Sequence, residues 1–104
     1  MSMLKRKKFC VLGQDVTIEY SSKPIVDDQG RYLAGFFDIK KNHIVIHTES
    51  EKETMKTLIH ELTHSIIYRS GVAQIITIEA QEILCESMSH FIYENFDLRR
   101  CKRK

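Results

Sequence analysis

The spacing of apolar residues changes once along this 104-residue chain, just after His47, and this change limits the folds that the chain can adopt. Before that point apolar residues alternate with polar ones, as Val16, Ile18 and Tyr20 do, which is the pattern of a half-buried strand. Beyond it apolar residues recur every three or four positions, as on the buried face of a helix: Met55, Leu58, Ile59, Leu62, Ile66 and Ile67. Strands followed by helices predict an α+β domain.

The first half of the chain predicts a small N-terminal β-sheet of about three strands. We interpret residues 9–20 as a strand pair or one bent strand, residues 21–31 as a loop and residues 32–47 as a hairpin. His43 and His47 alternate with the apolar residues of the last strand. We therefore expect them to be exposed histidines without a functional role.

The second half predicts two helices joined by a short connection. Thr48 and Ser50 each precede a glutamate by three residues, so either can cap the first helix, and Gly71 is suited to end it. Thr77 can cap the second helix. We expect the buried side of that helix to be apolar: Ile83 or Leu84, Met88, Phe91, Ile92 and Phe96.

Charge is divided unevenly along the chain. Nine of the 16 Lys and Arg residues lie in basic tails at residues 1–8 and 99–104, while residues 9–98 hold 7 basic and 14 acidic groups. The tails have no interleaved aromatic residues that would stack on bases, so we expect them to aid solubility and do not expect nucleic acid as a partner. No apolar run approaches the roughly 18–20 residues that span a bilayer. We therefore expect one cytoplasmic domain over residues 1–104, with no membrane partner.

The three cysteines, Cys10, Cys85 and Cys101, are widely spaced and form no Cys-x-x-Cys pair. This spacing supports neither a disulfide framework nor a cysteine zinc site. We expect three reduced thiols, two of them packed as small apolar residues.

The first predicted helix contains the motif His60-Glu61-Leu62-Thr63-His64. Histidines four positions apart point from the same helix face, so both imidazoles can bind one metal ion with bonds of about 2.0–2.1 Å. Glu61 is offset around the helix, too far to compete as a ligand but close enough to hold a water and accept its proton. A catalytic zinc site needs three protein ligands and one open position. A third ligand must therefore come from another part of the chain.

The second predicted helix offers carboxylates for this role. Glu82, Glu86 and His90 follow one another at intervals of four and form one polar ridge. Such a ridge alone is typical of a solvated helix face, but beside two histidines Glu82 offers a ligand and Glu86 an acceptor for a histidine N–H. Glu79 is the less favoured alternative as third ligand.

Together these residues resemble the gluzincin branch of zinc metallopeptidases, most of all the minigluzincins and the small, phage-type ImmA/IrrE metallopeptidases. The resemblance covers residues 33–96 and implies a minimal zincin-like domain in which an active-site helix is followed by a glutamate helix. It also implies one Zn²⁺ per chain and a peptide or protein substrate that pairs with an edge strand at residues 42–47.

The resemblance assigns a role to each residue of the motif pair. It implies that His60, His64 and Glu82 bind the metal, that Glu61 is the general base and acid, and that Glu86 supports a histidine. The chain departs from the family by having Glu rather than Asp or Asn at position 86. It also shows no counterpart of a separate subdomain that supplies the oxyanion-stabilising residue, a role for which Tyr68, Tyr93 and His90 stay open.

The expected function is zinc-dependent hydrolysis of peptide bonds. The alternative is a non-catalytic regulatory or interaction protein, in which His90 completes a structural metal site and the basic tails contact nucleic acid or a partner protein. A third possibility, which the minigluzincin resemblance suggests, is that residues 99–104 cross the cleft and hold the enzyme latent.

Overall fold

The computed structural model describes residues 6–97, and within them strands come first and two helices follow, as predicted for an α+β chain. The predicted tail at residues 99–104 and most of the tail at residues 1–8 lie outside the described residues. In chain order the elements are β1 (Lys8–Val11), β2 (Gln14–Ser21), β3 (Ile25–Val26), β4 (Tyr32–Leu33), β5 (Gly35–Asp38), β6 (His43–His47), α1 (Glu51–Ser70) and α2 (Ile78–Asn95).

A two-residue turn makes the first hairpin. Val11 pairs with Gln14, which leaves Leu12 and Gly13 as the loop, and both have positive φ angles, of 47° and 83°. Two positive φ angles are the signature of a type I′ turn, whose twist matches that of the strands on either side. Of the two interpretations of residues 9–20, the strand pair is therefore the correct one.

The main sheet has four strands in the order β1-β2-β6-β5, with β2 parallel to β6 and β5 antiparallel to it. The hairpin predicted over residues 32–47 is present as β5 and β6. However, β6 pairs on both sides, so residues 42–47 do not form an edge strand and that expectation is wrong. The edge strands of this sheet are β1 and β5. A separate ribbon of β3 and β4 occupies part of the predicted loop.

The hydrophobic core lies between this sheet and α1. In β2 and β6 every second side chain lies on the face of the sheet that α1 covers, and Leu58 of α1 packs against these side chains. The buried cluster consists of Val11, Val16, Ile18, Ile44, Ile46 and Leu58.

The histidines of β6 are half-buried, contrary to the expectation that they are exposed. Their side chains retain 28% and 24% of their accessible surface for His43 and His47 respectively. His43 Nδ1 lies 2.6 Å from Thr17 Oγ1, and its Nε2 lies 3.2 Å from Glu19 Oε1. His43 thus joins the two parallel strands through their side chains.

The first helix begins and ends as its sequence predicts. Ser50, rather than Thr48, is the N-cap, because its hydroxyl accepts a hydrogen bond from the Glu53 N–H at 3.2 Å. Gly71 ends the helix in the left-handed conformation, with φ of 86°. Ile66, which the apolar spacing places on the buried face, is instead 48% exposed.

The second helix is capped by Thr77 as predicted, but its buried side is not the apolar one. Cys85 and Ser89 are its buried residues. Of the expected core residues Ile92 is half-buried, and the others are exposed: Ile83, Leu84, Met88, Phe91 and Phe96. The reason is that α2 packs against the face of α1 that carries the two motif histidines, whose ring nitrogens need polar partners. Neither helix is long and apolar enough to cross a membrane, as judged over residues 6–97.

Candidate metal centre

A cleft of about 680 Å³ lies between the edge strand β5, α1 and the start of α2. Its size is typical of a site that binds a small molecule or a short peptide segment. Gly35 lets β5 approach α1 closely here, because a Cβ at this position would lie 2.9 Å from Thr57 Cγ2 and 3.5 Å from Glu61 Cγ. The cleft residues that carry titratable or metal-binding groups are Glu53, Lys56, His60, Glu61, His64, Tyr68, Glu82, Glu86 and His90.

The two motif histidines converge on one carboxylate. The centroids of the His60 and His64 rings are 5.0 Å apart, as expected for neighbouring turns of one helix face. The Glu82 oxygens lie 3.3 Å from His60 Nε2 and 2.8 Å from His64 Nε2. Of the carboxylates on α2, Glu82 is therefore the one placed between both Nε2 atoms.

The other ring nitrogen of each histidine has its own oxygen partner on α2. His60 Nδ1 lies 2.8 Å from Glu86 Oε1, and His64 Nδ1 lies 2.7 Å from Gln81 Oε1. When Nδ1–H donates to such an acceptor, Nε2 keeps the lone pair that a metal ion binds. The contact of Glu86 with a histidine was expected from the sequence, whereas that of Gln81 was not, since the only sequence signal for Gln81 is its position directly before Glu82.

Glu61 lines the same cleft and is only 8% exposed. Burial raises the pKa of this carboxyl above its usual value, against the effect of His64 and His60, which lower it, while Glu82 raises it further. Desolvation dominates because the carboxylate loses more hydration in the cleft than the nearby imidazoles replace. A carboxyl group with a raised pKa is suited to carry a proton in both directions.

A sulfur donor, which was not expected from the sequence, also lies at this site. Cys85 Sγ and the ligand nitrogens of His60 and His64 are all within 4.8 Å of one another, and this group could hold a metal ion. Cys85 is fully buried, and burial raises the pKa of its thiol to about 12, helped by Glu82, Glu61 and Glu86. The prediction of cysteines packed only as small apolar residues is thus incomplete, because Cys85 adjoins both histidines.

Of the remaining candidate ligands and oxyanion-stabilising residues, two line the cleft and two do not. Tyr68 and His90 line the cleft, and His90 Nε2 lies 3.5 Å from Glu86 Oε2. Tyr93 lines a different pocket, and Glu79 is an exposed residue in the first turn of α2 that does not line the cleft. Of the three residues considered for stabilising an oxyanion, two are therefore near the histidines.

The donor set fits a divalent metal ion of the zinc type. Imidazole, carboxylate and thiolate are the ligands that zinc prefers. Tetrahedral zinc with bonds of about 2.0–2.3 Å needs donors roughly 3.3–3.7 Å apart. The donors of His60, His64 and Cys85, which lie within 4.8 Å of one another, must therefore approach by up to about 1.5 Å, while the Glu82 oxygen at 2.8 Å from His64 Nε2 must move away by about 0.5 Å or more. Small side-chain rotations can supply both changes.

The chain matches no protein-family model, no curated protein and no solved structure. A function is therefore proposed from the geometry of the centre itself.

Proposed function

We propose that the protein is a zinc-dependent metallopeptidase. The observation that carries the proposal is the arrangement of the two imidazoles: both Nε2 atoms meet at Glu82, while Nδ1 of His60 is bonded to Glu86 and Nδ1 of His64 to Gln81. This arrangement prepares both rings for one ion, and it leaves the ion reachable from an open cleft.

Each residue then has a distinct task. His60, His64 and Glu82 would hold the zinc, and Glu86 and Gln81 would fix the orientation of the two rings. The zinc, when bound, supplies Lewis acidity that polarises a carbonyl group and lowers the pKa of a coordinated water. Glu61 accepts the proton of the attacking water and passes it to the leaving amine nitrogen.

A peptide is the proposed substrate because the cleft is bordered by an unpaired strand edge. Among residues 6–97, β5 pairs with β6 alone in the main sheet, so its outer N–H and C=O groups are available to an extended chain. The substrate would therefore pair with β5 and not with residues 42–47, which lie inside the sheet.

The test compares Glu61→Gln with the parent in zinc content and in cleavage of a degenerate peptide library followed by mass spectrometry. We expect Glu61→Gln to bind zinc normally and to lose turnover by about 10²–10⁴-fold. Glu79→Gln removes a matched carboxylate outside the cleft and should change neither property. His64→Ala should lose both. Cleavage by Glu61→Gln at the parental rate would show that the assigned mechanism is wrong.

The alternative of a structural metal site in a regulatory protein requires a fourth protein ligand. His90, the residue considered for this, is not in the group of donors around His60 and His64 among residues 6–97, and it lies against Glu86 instead. Cys85, which does belong to that group, is the residue that could complete such a site, so zinc held by four protein ligands with no coordinated water would favour this function over hydrolysis. The latent state in which residues 99–104 cross the cleft concerns residues outside those described and stays a prediction. Unchanged activity after removal of residues 99–104 would count against it.

A further inference from the structure

The inner side of the metal centre carries a donor to which the proposed function gives no role. Cys85 follows Glu82 by three positions on α2 and is fully buried, whereas the Glu82 side chain is 53% exposed. Both residues approach the same pair of imidazoles, Glu82 by its carboxylate and Cys85 by its thiol. A hard donor thus lies on the solvent side of the centre and a soft donor on its inner side.

Cys85 belongs to an inner row of α2 whose other members already have partners. Residues four apart share a helix face, so Gln81, Cys85 and Ser89 form this row. Gln81 accepts from His64, and the Ser89 hydroxyl donates to the Glu86 carbonyl at 2.9 Å. Among residues 6–97 no hydrogen bond to the Cys85 sulfur occurs. Within this row, therefore, the Cys85 sulfur lies near the imidazoles of His60 and His64 and makes no hydrogen bond.

We propose that Cys85 is a protein ligand for thiophilic divalent metal ions in this centre, forming a set of two nitrogens and one sulfur with His60 and His64. Soft ions such as Cd²⁺ prefer thiolate to carboxylate, so Glu82 is not required for their binding. On binding, the metal replaces the thiol proton, which leaves to the solvent. The inference rests on the same metal centre as the proposed function but not on its catalytic activity.

The experiment titrates metal-free, full-length protein with Cd²⁺ and records ultraviolet difference spectra for the thiolate-to-metal charge-transfer band. The double variant Cys10→Ser/Cys101→Ser serves as background because it leaves Cys85 as the single thiol. Into this background we introduce Cys85→Ser and, separately, Glu82→Gln. Binding stoichiometry is measured in parallel by calorimetry, and circular dichroism verifies that each variant is folded.

We expect the band to appear in the background variant, to saturate at one Cd²⁺ per chain and to persist in Glu82→Gln. Cys85→Ser should lose the band and weaken Cd²⁺ binding by at least about tenfold, since loss of outer-shell support alone costs 10–100-fold. Binding of one Cd²⁺ without a band in the background variant would overturn this inference and leave the proposed function standing. Absence of any Cd²⁺ or Zn²⁺ binding would overturn both.

Discussion

Replacement of Gly35 by alanine tests how closely β5 packs against α1 beside the candidate metal centre. Gly35 is the first residue of β5 and faces α1 where this edge strand meets the helix. A Cβ there would lie 2.9 Å from Thr57 Cγ2 and 2.9 Å from the Val45 carbonyl oxygen, both shorter than van der Waals contact. The Val45 oxygen is backbone and cannot rotate away, so β5 would have to move.

The expected cost follows from two opposing effects. Overpacking of this kind costs about 1–3 kcal/mol. Because Gly35 does not have a positive φ, alanine also restricts the unfolded chain and regains about 0.4–1 kcal/mol. The balance is a loss of about 1–2 kcal/mol in the free energy of unfolding, which lowers Tm by about 5–15 °C for a domain of this size.

Thermal and urea unfolding of Gly35→Ala, Thr57→Ser and the double variant measure this effect. Thr57→Ser removes the Cγ2 atom that the new methyl group would meet, so the double variant should be more stable than the two single losses predict. We expect a coupling of about 0.5 kcal/mol or more. Parental stability of Gly35→Ala, or strict additivity in the double variant, would refute the steric reasoning.

Three further predictions concern the helices and the first turn. Gln81→Ala removes the acceptor of His64 Nδ1 and should lower zinc affinity by about 10–100-fold in competition with a chromophoric chelator, whereas the exposed Gln74→Ala should leave it unchanged. Equal affinities in both variants would contradict the role of Gln81. Leu12→Asn should raise stability by about 0.5–1 kcal/mol in urea unfolding, because asparagine tolerates the positive φ of the turn better than leucine does, and a lower midpoint would argue against this. Ser50→Ala should cost about 1 kcal/mol through loss of the N-cap, and an unchanged Tm would count against that assignment.

The sequence predicts the parts of this fold that depend on local signals. Capping by Ser50 and Thr77 and the left-handed Gly71 are decided within a few residues, so both helices are placed well. The hairpin of β5 and β6 is local as well. The parallel pairing of β2 with β6 joins residues about 26 positions apart, and no pattern in either strand specifies it.

In the candidate site, too, the sequence predicts the features that depend on local spacing and not those that depend on how the helices pack. The motif at His60 and His64 and the position of Glu82 follow from helical spacing and from a resemblance to gluzincins. The burial of Cys85 and the contact of Gln81 depend on which face of α2 meets α1. The apolar residues of α2 predict that their own face is buried. In the structure the opposite face is buried, because the imidazoles on α1 need polar partners. Helix amphipathicity is therefore a poor guide beside a polar site.

Zinc content and X-ray absorption of the purified protein test the metal centre most directly, with Glu82→Ala and Glu86→Ala for comparison. We expect one zinc per chain with two imidazole nitrogens and a carboxylate oxygen, weakened far more by Glu82→Ala than by Glu86→Ala. A protein that binds no zinc, or whose zinc has no imidazole ligands, would contradict the proposed centre.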